Sequence, residues 1–160
     1  MSMKEQFADG PYRQSLDDTL SVLYGPDSVP AQKIRYEKLA NAFAAAYGTS
    51  DDLFFFSSPG RVEIVGNHTD HNNGCVLAGT VDLDMIGAAR KNGGDRIRIR
   101  SEGFPEIDLK LTDLDCRRSE HHTSAALVRG VAAALREQGR RIGGFDAYLS
   151  SGVPEAMTWP

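Results

Sequence analysis

The sequence predicts a mixed α+β fold, because helical and strand-like stretches follow one another without a regular βαβ repeat. Apolar residues recur at helical spacing over residues 30–47 and 124–138. Apolar and polar residues alternate strictly over residues 96–100, 107–111 and 145–149, as they do in strands with one buried face. The predicted order is helix, strands, hairpin, helix and strand.

Turn residues mark the ends of the predicted helices. Residues 3–24 hold scattered apolar side chains that suggest one or two short surface helices, and the Gly-Pro pair at residues 25–26 ends this section. Ser28 can cap the next helix, with Pro30 in its first turn, where a missing N–H costs little. Gly48 supplies the stop signal at its other end.

The middle of the chain reads as strands. The aromatic run at residues 53–56, between acidic and serine pairs, predicts a short buried strand. A second strand follows, in which Val62 and Ile64 alternate with charged residues, and it breaks at Gly66. The apolar, partly β-branched residues 75–85 predict the strand that leads out of the intervening loop.

Three arginines alternate along the strand at residues 96–100, which raises the question of a nucleic-acid surface. The chain carries a net charge of −4, and no aromatic residues interleave with these arginines. A solvated, charged strand face is therefore the favoured interpretation, and no nucleic-acid partner is predicted.

Length and composition limit the classes of protein to consider. The chain has 160 residues, of which 41% are hydrophobic and 25% charged, as expected for one globular domain or for one large piece of a two-layer domain. No apolar run approaches the roughly 20 residues that span a bilayer, and no signal sequence is evident, so no membrane partner is predicted. Cys75 and Cys116 form no disulfide or zinc pattern, which favours a cytoplasmic location.

The loop at residues 66–74 concentrates polar groups beside the predicted strands. Metal binding is one hypothesis, since His68, Asp70, His71 and Glu63 are possible ligands, but their convergence from an irregular loop is improbable. No metal site is predicted. Hydrolysis by a His–Asp pair is disfavoured because no serine or cysteine lies in a recognisable nucleophile motif.

Recognition of a polyhydroxylated molecule is the third hypothesis for this loop. Adjacent Asn, His and Asp side chains supply both donors and acceptors, which several sugar hydroxyls require. A polar turn whose side chains satisfy only the local backbone fits the spacing equally well. Spacing alone leaves these two interpretations open.

Residues 59–71 read Pro-Gly-Arg-Val-Glu-Ile-Val-Gly-Asn-His-Thr-Asp-His. This stretch closely resembles the galactokinase signature of the GHMP small-molecule kinase superfamily, which usually reads Pro-Gly-Arg-Val-Asn-Leu-Ile-Gly-Glu-His-Thr-Asp-Tyr. Residues 74–82, 96–101 and 123–130 resemble the elements that follow the signature in this family. The resemblance covers about residues 30–153.

The resemblance implies roles for individual residues. Asn67, His68, Thr69 and Asp70 correspond to the galactose-binding core, so they are expected to bind the sugar. Arg61 is expected beside the reacting anomeric hydroxyl. There its charge can stabilise the catalytic carboxylate and the charge developing on the transferred phosphoryl group.

The resemblance also implies the partners of the intact enzyme. These are galactose, ATP and Mg²⁺, with Ser101 near the nucleotide and the γ-phosphoryl group passing to O1 of galactose. A monomer is expected for the intact enzyme.

Three substitutions depart from the family pattern. Glu63 stands where Asn is usual, and Asn67 stands where Glu is usual. Asn67 keeps an acceptor oxygen but loses the charge, so sugar affinity or epimer preference can differ. His71 replaces a tyrosine, which is expected to alter packing more than chemistry.

The end of the chain departs further. Val153 and Pro154 are in register with the start of the family's phosphate loop, but residues 155–160 do not continue it. The resemblance therefore implies a truncated, inactive galactokinase: an N-terminal extension with short helices at residues 1–28, then an incomplete GHMP-kinase N-terminal domain at residues 29–160. The alternatives are a GHMP kinase for another sugar and a non-catalytic sugar sensor or regulator.

Overall fold

The computed structural model describes residues 15–66, 69 and 72–153, and these form a mixed sheet with helices on both faces. The helices are α1 (Leu16–Tyr24), α2 (Val29–Tyr47) and α3 (Ser124–Glu137). The strands are β1 (Phe54–Val65), β2 (Leu77–Lys91), β3 (Arg96–Ser101), β4 (Ile107–Lys110) and β5 (Phe145–Ser151). The strand order is β1-β2-β5-β3-β4, and only the β3–β5 pair is parallel. The predicted α+β fold and order of elements are confirmed.

Helices α1 and α2 cover one face of the sheet, at strands β1, β2 and β5. Phe43 of α2 is fully buried there, and Leu20 of α1 is 2% exposed. The same core contains Ile86 and Ala88 of β2. Helix α1 thus shares a core with the residues that follow it, and the boundary expected at residue 28 stays a prediction.

The helix ends follow the expected pattern, with one exception. Ser15 caps α1, because its hydroxyl accepts a hydrogen bond from the Asp18 N–H at 3.1 Å. Gly48 ends α2 at a φ of 85°. The predicted side-chain cap at Ser28 is wrong, since Ser28 makes no capping hydrogen bond. A 3₁₀ turn over Pro26–Ser28 already gives it a helical backbone, whereas a capping residue needs an extended one.

Strand β1 differs most from the prediction. The aromatic run and the strand after it form one strand of 12 residues that passes through Pro59 and Gly60. Phe55 lies toward α2, but Phe54 and Phe56 are 65% and 44% exposed, so the predicted buried strand is wrong for both. Successive side chains point to opposite faces of a strand, and no helix in the described ranges covers the second face here.

Helix α3 packs on that second face, over the β3–β4 hairpin. Its Ala132 lies against Ile97 and Leu109 in a separate core. The Thr123 hydroxyl caps the helix by accepting a hydrogen bond from the Ala126 N–H. The predicted helix and hairpin are therefore both confirmed.

The arginines of β3 are paired with carboxylates of neighbouring strands. Arg96 contacts Asp108 at 2.7 Å, and Arg100 contacts a glutamate after the turn at 3.0 Å. Arg98 donates two hydrogen bonds of 2.8 Å to Asp146. Ion pairs of this kind fit the interpretation as a solvated, charged face. That the chain has no nucleic-acid partner stays a prediction.

Asp146 is the buried member of this group. Its side chain is fully buried on β5, where Asn92 also donates a hydrogen bond of 2.8 Å. Burial alone would raise the pKa of Asp146, but the hydrogen bonds from Arg98 and Asn92 outweigh it and leave the pKa lowered. The carboxylate is thus held ionised inside the sheet.

No helix within the described ranges is long and apolar enough to cross a membrane.

Replacing Asp146 by Asn should lower the free energy of unfolding by about 1.5–3 kcal/mol, because only the carboxylate is fully buried, and Arg98 and Arg90, which are 40% and 22% exposed, lose the charge that they contact. Asp108→Asn is the matched control. Its ion pair with Arg96 is 41% exposed on both sides, so it should cost about 1 kcal/mol or less. Urea unfolding measures both values, and equal losses would contradict the assigned burial.

Candidate functional site

The β1–β2 hairpin carries the loop that the sequence singles out. Its register shifts between Pro59 and Arg61, where residues 81–83 of β2 stand opposite Gly60 of β1, which is the signature of a β-bulge in β2. Arg61 lies directly after the bulge, opposite Thr80, and is exposed. The bulge therefore separates the part of the hairpin packed under α2 from the part that presents Arg61 and the loop.

Two glycines allow the loop to close tightly. Gly66 has a φ of 129°, and a Cβ at this position would lie 2.6 Å from Val76 Cγ1. A Cβ at Gly74 would overlap the side chain of Thr69. A larger residue at position 66 would push this end of the loop away from Val76. A larger residue at position 74 would push the other end away from Thr69.

Thr69 holds the interior of the loop. Its backbone N–H and its hydroxyl both donate to the Gly66 carbonyl, at 3.2 and 2.8 Å. Its own carbonyl accepts from the N–H groups of Asn72 and Gly74, at 3.0 and 2.8 Å. Thr69 therefore shapes the loop, and the sugar contact that the resemblance implies for it stays a prediction.

Three of the predicted site residues lie outside the described residues, namely Asn67, His68 and Asp70, and so does His71, which is expected to alter packing. Their roles stay predictions. In the part of the chain that is described, no three His, Cys, Asp or Glu side chains lie close enough to hold a metal ion.

Ser101 lies at a distance from Arg61. It ends β3 and pairs with Leu149 of β5, which in turn pairs with Gly87 of β2 and, through it, with Phe56 of β1. Three strand spacings, roughly 14 Å, separate Ser101 from β1. The described residues thus do not bring Ser101 beside Arg61, and its role near a nucleotide stays a prediction.

The segment after β5 does lie beside the signature. A Cβ at Gly60 would be 2.9 Å from Val81 Cγ2 and 3.1 Å from Val153 Cγ2. Glycine at position 60 therefore lets the end of β5 pack directly against the strand that carries Arg61. The local sequence could not predict this role of Gly60, because Val81 and Val153 are distant from it along the chain.

Asp84 connects these elements and was not predicted as a site residue. Its carboxylate accepts hydrogen bonds from the Tyr24 and Ser57 hydroxyls, both at 2.6 Å, and from Arg35 at 2.5 Å. Its carbonyl accepts from Arg35 and from the Gly152 N–H, at 3.0 and 2.9 Å. Helices α1 and α2, strand β1 and the end of β5 are therefore all tied to one residue of β2. An acid within an apolar strand is the signal that could have identified it.

A cavity of about 370 Å³ opens beside this network. Its lining includes Pro59 of the signature, Asp82 and Asp84 of β2, Arg35 of α2 and Gly152 after β5. The cavity thus lies where the bulge of β2, the signature strand β1, the two helices and the segment after β5 meet.

The network sets the protonation of its members. Burial alone would raise the pKa of Asp84, but the hydrogen bonds from Ser57, Tyr24 and Arg35 outweigh it, and the pKa is lowered. Burial raises the pKa of Tyr24, and the adjacent Asp84 carboxylate raises it further. At neutral pH the network therefore consists of an ionised carboxylate, a guanidinium and neutral hydroxyls.

Similarity to solved structures gives the class of fold. The galactokinase of Lactococcus lactis, solved in complex with galactose, matches with a TM-score of 0.66 and 28% identity, over 76% of this chain and 32% of that one. The mevalonate kinase of Methanococcus jannaschii matches with a TM-score of 0.51 and 15% identity, which shows the fold alone. The fold is that of the GHMP-kinase N-terminal domain, of which this chain forms an incomplete version.

Sequence comparisons find similarity to galactokinases over part of their length. Residues 41–91 match the model of the galactokinase galactose-binding signature. The galactokinases of Streptococcus thermophilus and Streptococcus mutans are 36% and 34% identical over 121 and 125 residues, respectively. These matches cover 73% and 76% of this chain but only 30% and 31% of the relatives. The chain is thus related to the galactokinases, and it spans about 30% of their length.

The pH dependence of stability tests the Asp84 network. A carboxylate whose pKa is lowered on folding stabilises the protein above its unfolded pKa, about 4, and loses that contribution as the pH falls toward its folded pKa. The stability difference between the parent chain and Asp84→Asn should therefore be constant from pH 7 to about 5 and shrink below about 4. Asp27→Asn, at an exposed carboxylate outside the network, should follow the parent chain throughout. A difference for Asp84→Asn that is unchanged at pH 3 would contradict this assignment.

Proposed function

We propose that this chain supplies the sugar-binding part of a galactokinase. The observation that supports this most is the match of residues 41–91 to the galactose-binding signature, since those residues include the whole β1–β2 hairpin and its loop. A protein that also carries the rest of the relatives' length would transfer the γ-phosphoryl group of ATP to O1 of galactose.

In this proposal the loop residues distinguish galactose from its epimers. Asn67, His68 and Asp70 offer donors and acceptors to adjacent sugar hydroxyls, with Thr69 holding the loop between them. An epimer with one hydroxyl inverted leaves a buried polar group without its hydrogen bond, and that loss reduces affinity. The close approach of Gly74 to Thr69 supports the proposal, because a preorganised loop loses little entropy on binding.

Arg61 is proposed as the charged group beside the reacting hydroxyl. It lies directly after the bulge and is exposed at the signature end of the hairpin. A fixed guanidinium can stabilise a neighbouring carboxylate base and the charge that develops during phosphoryl transfer, where positioning and electrostatics supply most of the acceleration.

The packing of Val153 against Gly60 supports a phosphate-binding half of the site that lies next to the signature strand β1. Val153 and Pro154 are in register with the start of the phosphate loop of the family. A loop that continued from Val153 would begin beside Gly60, the residue that precedes Arg61 in β1. That is the proximity that phosphoryl transfer from ATP to a bound sugar requires.

ATP is proposed as the phosphoryl donor because the relatives are galactokinases. Mg²⁺ would neutralise phosphate charge when bound, and no residue of this chain is assigned to hold it. A cytoplasmic location and a monomeric intact enzyme are part of the same proposal. The absence of phosphoryl transfer by the 160-residue chain alone stays a prediction.

Isothermal titration calorimetry with galactose and glucose tests the proposed site on this chain. Galactose should bind more tightly than glucose, and Asp70→Ala should weaken galactose binding about 10- to 100-fold, since hydrogen bonds to a charged group contribute about 1.5–3 kcal/mol. Asp27→Ala, at an exposed position on the turn before α2, is the matched control and should bind galactose as the parent chain does. Unchanged galactose affinity in Asp70→Ala would contradict the assignment, and equal binding of both sugars would favour a kinase for another sugar.

A further inference from the structure

The chain leaves β5 along a path that is held at three consecutive residues. The N–H of Gly152 donates a hydrogen bond of 2.9 Å to the Asp84 carbonyl. The Ser151 hydroxyl accepts from the Val153 N–H at 3.1 Å and donates to the Val153 carbonyl at 3.2 Å. The Val153 side chain packs against Gly60 of β1. We call residues 151–153 the exit segment.

Arg35 of α2 reaches the exit segment from the helix that covers the sheet. Its Nη1 donates to a carboxylate oxygen of Asp84 at 2.5 Å, and its Nη2 donates to the carbonyl of the same residue at 3.0 Å. A Cβ at Gly152 would lie 3.6 Å from Nη2 of Arg35 and 3.4 Å from the Asp84 carbonyl oxygen. One guanidinium therefore contacts both acceptors of Asp84 and lies next to the exit segment.

The Asp84 carbonyl is shared by two donors, one from Arg35 and one from Gly152. A carbonyl oxygen has two lone pairs, so these two donors use its full capacity. Residues 81–83 bulge out of the β1–β2 ladder just before Asp84, so regular pairing with β1 holds this residue from one direction only. Arg35 supplies the second constraint, and it is firmly anchored because Tyr36, the next residue of α2, is buried in the core.

The charges around Arg35 do not suit a phosphate ligand. Among the described residues that line the cavity beside it, Asp82 and Asp84 are negatively charged and Arg35 is the one cation. Because Arg35 is already paired with Asp84, an anion that entered the cavity would meet net negative charge. The arginine therefore acts on Asp84 and not on a bound anion.

We propose that Arg35 is a positioning residue for the phosphate-binding half of the site. By holding the Asp84 carbonyl toward Gly152, it fixes the point from which the chain continues beyond Val153. This inference rests on the proposed function, because in a galactokinase that continuation would hold the phosphates of ATP. Phosphoryl transfer depends strongly on such positioning, since the donor and the acceptor must be held in line.

The role of Arg35 is separate from sugar binding. Asp84 pairs with Pro59 of β1. Val65, the last residue of β1 before the sugar loop, lies roughly 20 Å along the strand from Pro59, at about 3.3 Å per residue. A change at Arg35 should therefore release the exit segment and leave galactose binding intact.

Backbone order parameters of the ¹⁵N-labelled chain, measured by NMR relaxation, test the role of Arg35. In the parent chain, Gly152 should have an order parameter near 0.85, the value of rigid backbone, and in Arg35→Lys it should fall below about 0.6. Lysine keeps the charge but lacks the two parallel donors of the guanidinium. Ala88, which is buried in the middle of β2, should stay rigid in both chains. A residue that only adds to overall stability would leave the order parameters of the folded chain unchanged.

Two further variants accompany Arg35→Lys. Asp84→Asn keeps the carbonyl but removes the carboxylate charge that anchors the guanidinium, so it should also loosen Gly152. Arg96→Lys is the matched control, since Arg96 pairs with Asp108 at the exposed surface of the β3–β4 hairpin. This variant should leave the order parameter of Gly152 at the parent value.

A galactose titration of the parent chain and Arg35→Lys separates this proposal from the proposed function. Both chains should bind galactose equally well. A Gly152 that stays rigid in Arg35→Lys and Asp84→Asn, or that is already flexible in the parent chain, would overturn the role of Arg35. A loss of galactose affinity in Arg35→Lys as large as that in Asp70→Ala would overturn it as well. Galactose that binds neither chain while Gly152 is loosened as expected would instead overturn the proposed function, on which the phosphate-binding role rests.

Discussion

The structure depends on the hydrogen bonds that converge on Asp84. Its carboxylate and carbonyl together hold Tyr24, Arg35, Ser57 and Gly152, which belong to α1, α2, β1 and the end of β5. Asp84 pairs with Pro59, the last residue of β1 before the register shift, so these bonds also fix where the bulge in β2 begins. The signature and the start of the segment after β5 are thereby held side by side.

Local patterns predicted most of the elements but not how they join. Helix α2, the β3–β4 hairpin and β5 have clear periodicity, and the structure confirms them. The continuity of β1 was missed, because the serine pair at residues 57–58 reads as the end of the aromatic strand. In the structure the strand continues through Pro59 and Gly60, opposite a bulge in β2. The partners of Asp84 all lie at least 27 residues away along the chain, so no local pattern could reveal its network.

In the candidate site, too, some features were predictable from the local sequence and others depend on contacts between distant residues. A resemblance identified the signature, and the family match supports it. The need for glycine at two of its positions comes from contacts in the fold. A side chain at position 60 would collide with Val153, and one at position 74 would collide with Thr69. Apolar spacing likewise predicted α3 as a helix, but it could not show that Leu127, Val131 and Leu135 are exposed. That depends on which side of the helix the sheet occupies.

A galactose titration of the ¹⁵N-labelled chain, followed by NMR, tests the central claim most directly. The claim is that the hairpin and its closed loop form a sugar site without further chain. If so, galactose should shift the amide signals of Gly66, Thr69 and Gly74, and leave Gly93, in the β2–β3 turn, unmoved. Glucose should produce smaller shifts at the same concentration. Shifts spread evenly over the chain, or none at the loop at saturating galactose, would contradict the claim.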